Sequence, residues 1–219
     1  MSIKQNINSI ISLIPKEVKL VAISKTKPCE AIMEAYDTGQ RIFGENRHKE
    51  LIEKFDTLPK DIKWHFIGSL QRTNVKYVVP RVELIHSVDS HNLLKEIDKE
   101  AAKNSKVMDV LLELHIAQEM SKSGWDRATL IEYLKSGAHS ELKNVRIVGV
   151  MSMASYTYDT EQIRAEFREL KQIFDSIKEQ FFADSDYFNT ISAGMSGDYE
   201  IAIEEGSNMV RIGSTIFNA

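Results

Sequence analysis

Two lysines one residue apart, Lys25 and Lys27, close the apolar run VKLVAIS in the stretch AISKTKP, and Pro28 then opens a helical pattern. A lysine at the end of a buried strand ordinarily carries its ammonium out to water along an apolar stem. An amine held among other cations is instead favoured in its neutral form, which attacks an aldehyde to give a Schiff base. A second group of candidates lies near the C-terminal end, in SAGMSGD (192–198) and RIGS (211–214). Gly194, Ser196, Gly197, Gly213 and Ser214 are the residue types that cradle a phosphate: glycines admit backbone N–H groups and a serine hydroxyl donates. They serve equally well as ordinary turns, with Ser196 or Asp198 capping the helix that follows.

Residues so far apart act together only if the fold brings them to one place. Short β-rich apolar runs predict eight strands: KLVAISK (19–25), RIFGEN (41–46), WHFIGS (64–69), LIHSVD (84–89), VLLELHI (110–116), RIVGVMS (146–152), FNTISAG (188–194) and MVRIGS (209–214). Between them lie segments with apolar residues three and four apart, from PCEAIMEAYDTG to the long TEQIRAEFRELKQIFDSIKEQF and DYEIAIEEGS. Several stop at a glycine, Gly39, Gly137 or Gly206, where a left-handed residue ends a helix. Runs such as LVAI and VLLEL, apolar on both faces, suit parallel strands with helices on one side and a core on the other. Eight such units close naturally into a (β/α)8 barrel, and nothing in the sequence divides residues 1–219 into more than one domain. An open doubly wound sheet is the competitor, but no GxGxxG follows the first strand. The isoleucines at 3, 7, 10, 11 and 14 add an N-terminal helix.

In such a barrel the chemistry sits where strands end. The residues there are polar almost throughout: Lys25, Lys27, Glu45, Asn46, His65, Ser87, Asp89, His115, Ser152, Ser192, Arg211 and Ser214, with Met151 among them. The first strand neighbours the eighth in a closed barrel, so Lys25 is expected within reach of a ligand whose phosphate rests on RIGS, with Lys27 and Arg211 as the cations near the amine. An aldehyde that carries a phosphate is pyridoxal 5′-phosphate.

Composition excludes several classes. The chain has 219 residues, 42% hydrophobic and 27% charged, with net charge −4 and pI near 5.9. No apolar run is long enough to cross a bilayer, and no overall basic surface serves nucleic acid. The single cysteine, Cys29, cannot form an internal disulfide. A cytoplasmic location is expected.

The series VAISKTKP, FGEN, WHFIGSLQ, HSVD, SKSG, GVMSM and SAGMSGDYEIAIEEGSNMVRIGSTIF resembles the YggS/PROSC family of pyridoxal-phosphate-binding, or PLP homeostasis, proteins over about residues 18–217. The resemblance implies a single barrel of the fold-type III kind, similar to the N-terminal domain of alanine racemase. It also implies pyridoxal 5′-phosphate bound as a Schiff base to Lys25, with phosphate contacts at Ser196, Gly213 and Ser214. By the same resemblance Arg211 faces the pyridine nitrogen, Asn46 lies beside the ring, and His65 and Met151 line the pocket. The sequence departs from the family pattern in RHKE after FGEN, in LQRTN, and in His115 where asparagine is usual.

The function so implied is buffering or delivery of the cofactor, with apo forms of PLP-dependent enzymes as recipients and no committed reaction; a monomer is expected rather than a dimer. The alternative is an amino-acid racemase, which needs bases on both faces of the substrate carbon. In fold-type III racemases the second base comes from a further β-rich domain, and the sequence given, ending at Ala219, is expected to lack it.

Overall fold

The computed structural model describes residues 2–117 and 123–218. Ser121 and Lys122 of the SKSG segment lie outside the described residues. After helix α1 (Ile3–Leu13), the chain alternates β1 (Lys19–Ile23), α2 (Cys29–Tyr36), β2 (Ile42–Glu45), α3 (His48–Thr57), β3 (Lys63–Phe66) and α4 (Val75–Val78). It continues through β4 (Leu84–Val88), α5 (His91–Lys103), β5 (Met108–Glu113), α6 (Arg127–Lys135), β6 (Val145–Met151) and α7 (Thr160–Phe181). The last elements are β7 (Thr190–Ser192), α8 (Tyr199–Glu204), β8 (Met209–Ile212) and α9 (Ser214–Phe217). The strands form a closed barrel in sequence order, all neighbours parallel, with β1 against β8 in the register Ala22↔Ile212.

All eight expected strands are present, most of them shorter at the C-terminal end than the sequence pattern. The surplus residues, Ser24–Lys25, Asn46 and Gly213–Ser214 among them, are loop or helix start, which is where strand-end chemistry belongs. The TNVKYVVP segment departs from a single helix: one α turn is flanked by 3-10 turns over Arg72–Asn74 and Val79–Arg81. Pro80 has no N–H with which to continue an α-helix. The three glycine stops have left-handed φ values of 99°, 74° and 102° at Gly39, Gly137 and Gly206.

Alternation along each strand separates two cores. Leu20, Ala22, Phe43, Trp64 and Phe66 pack outward against the helices. Val21, Ile23, Leu84, Leu111, Val148, Met151 and Met209 pack inside the barrel. Helix α1 is capped by a reciprocal pair of bonds between Ser2 and Gln5, and it buries Ile3, Ile7 and Ile10. Each such side chain contributes roughly 1.5–3 kcal/mol. Asn6 ties α1 to the C-terminal segment by donating to the Ile216 carbonyl at 3.0 Å. Among the described residues no helix is long and apolar enough to cross a membrane.

Candidate functional site

Beyond Ile23 the chain turns sharply, the N–H of Lys27 donating to the Ser24 carbonyl at 3.0 Å with Thr26 at φ +64°. A β-branched residue in the left-handed region costs on the order of 1–3 kcal/mol and persists only where its surroundings hold it. They do so on both sides of Lys25. Glu50 Oε2 accepts from the Thr26 N–H at 2.8 Å, and Lys54 Nζ donates to the Ser24 carbonyl at 2.8 Å. Lys54 is buried and also donates to Glu45 Oε1 at 2.7 Å, which the Ser24 hydroxyl bonds at 2.6 Å. Burial raises the pKa of the Glu45 carboxyl against the opposing pull of Lys54 and Ser24, and its Oε2 is buried with no partner among the described residues.

The Lys25 side chain is exposed, so the ammonium is not in the desolvated setting that a strand-end position suggested. Its Nζ has no hydrogen-bond or ion-pair partner among the described residues. Lys27, by contrast, is engaged: its Nζ donates to Asn218 Oδ1 at 2.9 Å.

The β1–β8 register carries Ile23 to the level of Gly213, and a side chain at Gly213 would meet Ile23 Cβ and its carbonyl oxygen at 3.2 Å. This close approach sets the RIGS loop beside the Lys25 turn. From the other side comes the β7–α8 loop. Gly194 at its start has φ +92°, and a Cβ there would lie 2.7 Å from Ala202 Cβ and 2.8 Å from Tyr199 Cα, so the loop closes onto α8 only with glycine. Ser196 then reaches across to β8: its Oγ accepts from the N–H groups of Gly213 at 3.3 Å and Thr215 at 3.4 Å. Two backbone donors thus converge on one acceptor position at the rim. Ser214 is exposed between them.

Arg211 points into the barrel and is 5% exposed. Its Nη1 donates to the carbonyl and hydroxyl oxygens of Ser192, each at 2.7 Å, and its Nη2 to the Ser152 carbonyl at 2.9 Å, so the ends of β7 and β6 fix the guanidinium. Burial lowers its pKa to about 10, partly offset by Asp198 and Glu113. Both carboxyls are themselves raised by burial, with Arg211 pulling the other way. Asn46, one residue past β2, has a buried Oδ1 without a partner among the described residues, and Gly68 makes room for its backbone. Met151 sits beneath this layer, in the inner core with Ile23.

His65 is placed differently from the expectation. Its ring turns toward the N-terminal end of the barrel, where it lines a cavity with Lys19 and Lys63, and Nδ1 lies 3.0 Å from Nε2 of the buried His86. A larger surface cleft, lined by Cys29, Met33, Leu58 and Lys60 among others, lies at α2 and the end of α3, apart from the strand-end residues.

The structure therefore gathers Lys25, Asn46, Ser196, Arg211, Gly213 and Ser214 at the C-terminal ends of the strands, with Met151 below and His65 deeper. Sequence reasoning passed over Glu50, Lys54 and His86. The i, i+4 spacing of Glu50 and Lys54 was the available signal, and it reads as a surface helix pair.

A (β/α)8 barrel with an amine that has no partner among the described residues, a fixed guanidinium and convergent backbone N–H donors at one rim has the chemistry to receive an anionic ligand. The model of the family described as alanine racemase, N-terminal domain, matches residues 1–219. The chain is 41% identical over 200 residues to a pyridoxal phosphate homeostasis protein of Aquifex aeolicus, covering 91% of this chain and 86% of the relative. It is 34% identical over 209 residues to the Escherichia coli protein of that name, covering 94% and 87%. Among solved structures, PipY of Synechococcus elongatus with PLP bound superposes with a TM-score of 0.90 at 33% identity, covering 99% of this chain and all of that one. Alanine racemase from Bartonella henselae, at 14% identity and TM-score 0.73 over 58% of its length, shares the fold. The chain belongs to the pyridoxal phosphate homeostasis protein family, within the alanine racemase N-terminal-domain group.

Proposed function

We propose that this chain binds pyridoxal 5′-phosphate at the C-terminal rim of the barrel, covalently through Lys25, and holds it for release to apo-enzymes that need it. The observation that carries this reading is the convergence of the Gly213 and Thr215 N–H groups beside the turn that presents an unpaired Lys25. The residues present fit the cofactor. Lys25 would hold its carbonyl carbon, Ser196 with the N–H groups around Gly213 and Ser214 its phosphate, and Asn46, whose buried Oδ1 lacks a partner, would lie beside its ring. Arg211 would face the ring nitrogen.

The cofactor supplies electron withdrawal to whatever is attached to its carbonyl carbon, most strongly when its ring nitrogen is protonated. A guanidinium held by Ser192 and Ser152 cannot accept a proton or turn away, and it disfavours a second positive charge beside it. Arg211 thereby works against carbanion chemistry, and retention with release, rather than a committed reaction, is the reading we favour. Borohydride reduction of the PLP-loaded protein followed by peptide mapping tests it. A pyridoxyl group on Lys25 is expected; its appearance on Lys27, or on neither, would overturn the assignment.

A further inference from the structure

At the end of the barrel opposite Lys25 the strands begin around a cavity of about 340 Å3, lined by Lys19, Lys63, His65, Asp109 and Arg146 among others. Its charges do not cancel within the protein. Arg146 bonds both carboxylate oxygens of Asp109, at 2.6 and 2.8 Å. Glu83 also lines the cavity and forms no ion pair among the described residues; it acts on Lys106 only at longer range, and the Lys106 Nζ is anchored on the carbonyls of Val79 and Val82. Against that one carboxylate stand the ammonium groups of Lys19 and Lys63, which have no hydrogen-bond or ion-pair partner among the described residues, so the lining keeps a net positive charge. Both act electrostatically on His65.

A further donor enters from the barrel interior, and a chain of buried groups fixes its direction. Arg211 Nη1 lies 2.7 Å from Ser192 Oγ, which lies 3.0 Å from His86 Nδ1; His86 Nε2 lies 3.0 Å from His65 Nδ1. A guanidinium only donates, so Ser192 Oγ accepts from Arg211, and the only acceptor within reach of the Ser192 hydroxyl proton among the described residues is His86 Nδ1. His86 therefore carries its proton on Nε2 and donates it to His65 Nδ1. The proton of His65 is left on Nε2. Both rings are neutral, because burial drives their pKa down, that of His65 to about 3. Nε2 of His65 has no partner among the described residues, and His65 lines the cavity, so this N–H is offered to whatever the cavity holds.

We propose that the cavity at the N-terminal end of the barrel is a binding site for a small oxyanion, held by the ammonium groups of Lys19 and Lys63 and by the Nε2–H of His65. Two unpaired cations and an oriented neutral donor call for a ligand that is negatively charged and only accepts; phosphate and carboxylate oxygens share that chemistry. The inner core residues Val21, Ile23, Leu111 and Met151, none of which lines the cavity, pack between this site and the rim. The two sites are thus separate, and the inference does not depend on what the rim binds.

The test titrates inorganic phosphate, and separately acetate, into the full chain with and without pyridoxal 5′-phosphate, against sodium chloride at matched ionic strength. Imidazole nitrogens are followed by NMR. Both histidines are expected as Nε2–H tautomers, with a saturable shift at His65 Nε2 that persists when the rim is filled. Lys63→Ala and Lys19→Ala are each expected to weaken it at least tenfold without changing the labelling of Lys25. A response to phosphate alone identifies phosphate as the ligand class, and an equal response to acetate extends it to carboxylates. No saturable shift with either anion, unchanged affinity in both lysine variants, or a His65 proton on Nδ1 would overturn the proposal.

Discussion

The ammonium of Lys54 donates to the carbonyl of Ser24 at 2.8 Å, thirty residues away in sequence and one residue before Lys25. With Glu50 bonded to the Thr26 N–H on the other side, helix α3 grips the Lys25 turn from both flanks. Lys54→Met should therefore loosen the turn and leave the Glu45 carboxyl buried without its cation. Removing one partner of a buried pair costs about 3–5 kcal/mol. Thermal unfolding is expected at a clearly lower temperature, and covalent capture of pyridoxal 5′-phosphate at Lys25 should fall. Glu50→Gln keeps an acceptor for Thr26 and should retain most of that capture. Full capture by Lys54→Met, measured after borohydride reduction, would show that the grip does not position the amine.

Ser196→Ala should weaken retention of pyridoxal 5′-phosphate while leaving the barrel folded. The serine is half-buried in a loop, and its hydroxyl bonds only the N–H groups of Gly213 and Thr215, both of which remain in the variant. A hydrogen bond to a charged group contributes about 1.5–3 kcal/mol, equivalent to roughly ten- to hundredfold in affinity. Equilibrium dialysis with absorbance readout measures it. Equal affinity in both proteins would remove Ser196 from the site.

The barrel was legible in the sequence because burial on both strand faces writes itself as continuous apolar runs, and each strand ends where that run meets a polar pair. Lys25, Ser196, Gly213 and Arg211 could be nominated because closure sets β8 beside β1, so strand order alone predicts their meeting. The grip of α3 was not legible. Lys54 belongs to KELIEKF, a pattern that puts it on a helix surface, and only the path of α3 over the end of β1 buries it. His86 was hidden for a similar reason: LIHSV reads as an apolar strand, and its partners, His65 and Ser192, stand 21 and 106 residues away. The depth of His65 is not legible either: WHFIGS reads as a strand ending at the rim, whereas β3 ends at Phe66 and His65 lines the cavity at the N-terminal end of the barrel.

Stability should fall steeply in mild acid. Burial, aided by Lys19 and Lys63, lowers the pKa of His65 to about 3, and burial with His65 and Arg211 holds His86 well below its ordinary 6.5. The unfolded chain therefore binds more protons than the folded one below that value. Stability is fully present above about pH 6.5 and is lost as the pH falls toward the folded values, at about 1.4 kcal/mol per pH unit for each ring. Urea unfolding at pH 7, 6 and 5 measures the slope. His65→Gln, which cannot titrate, should be shallower by about one proton, and an unchanged slope would mean that His65 is not a buried neutral ring.

Racemisation needs a carbon acid strengthened by the ring and a base on each face of it. In its proposed place at the ring nitrogen Arg211 would oppose the first requirement, because its guanidinium is anchored to Ser192 and Ser152 and stays cationic well above neutral pH even though burial lowers its pKa to about 10. On that proposal the electron sink is weak whichever residues serve as bases. The loaded protein should therefore exchange the α-hydrogen of alanine with solvent deuterium no faster than free pyridoxal 5′-phosphate does at the same concentration, within about tenfold, while an added apo-enzyme gains activity from it. Mass spectrometry of the amino acid and an activity assay of the acceptor, run on one sample, separate the outcomes. Rapid exchange with interconversion of D- and L-alanine, and no activation of the acceptor, would identify a racemase and overturn the carrier.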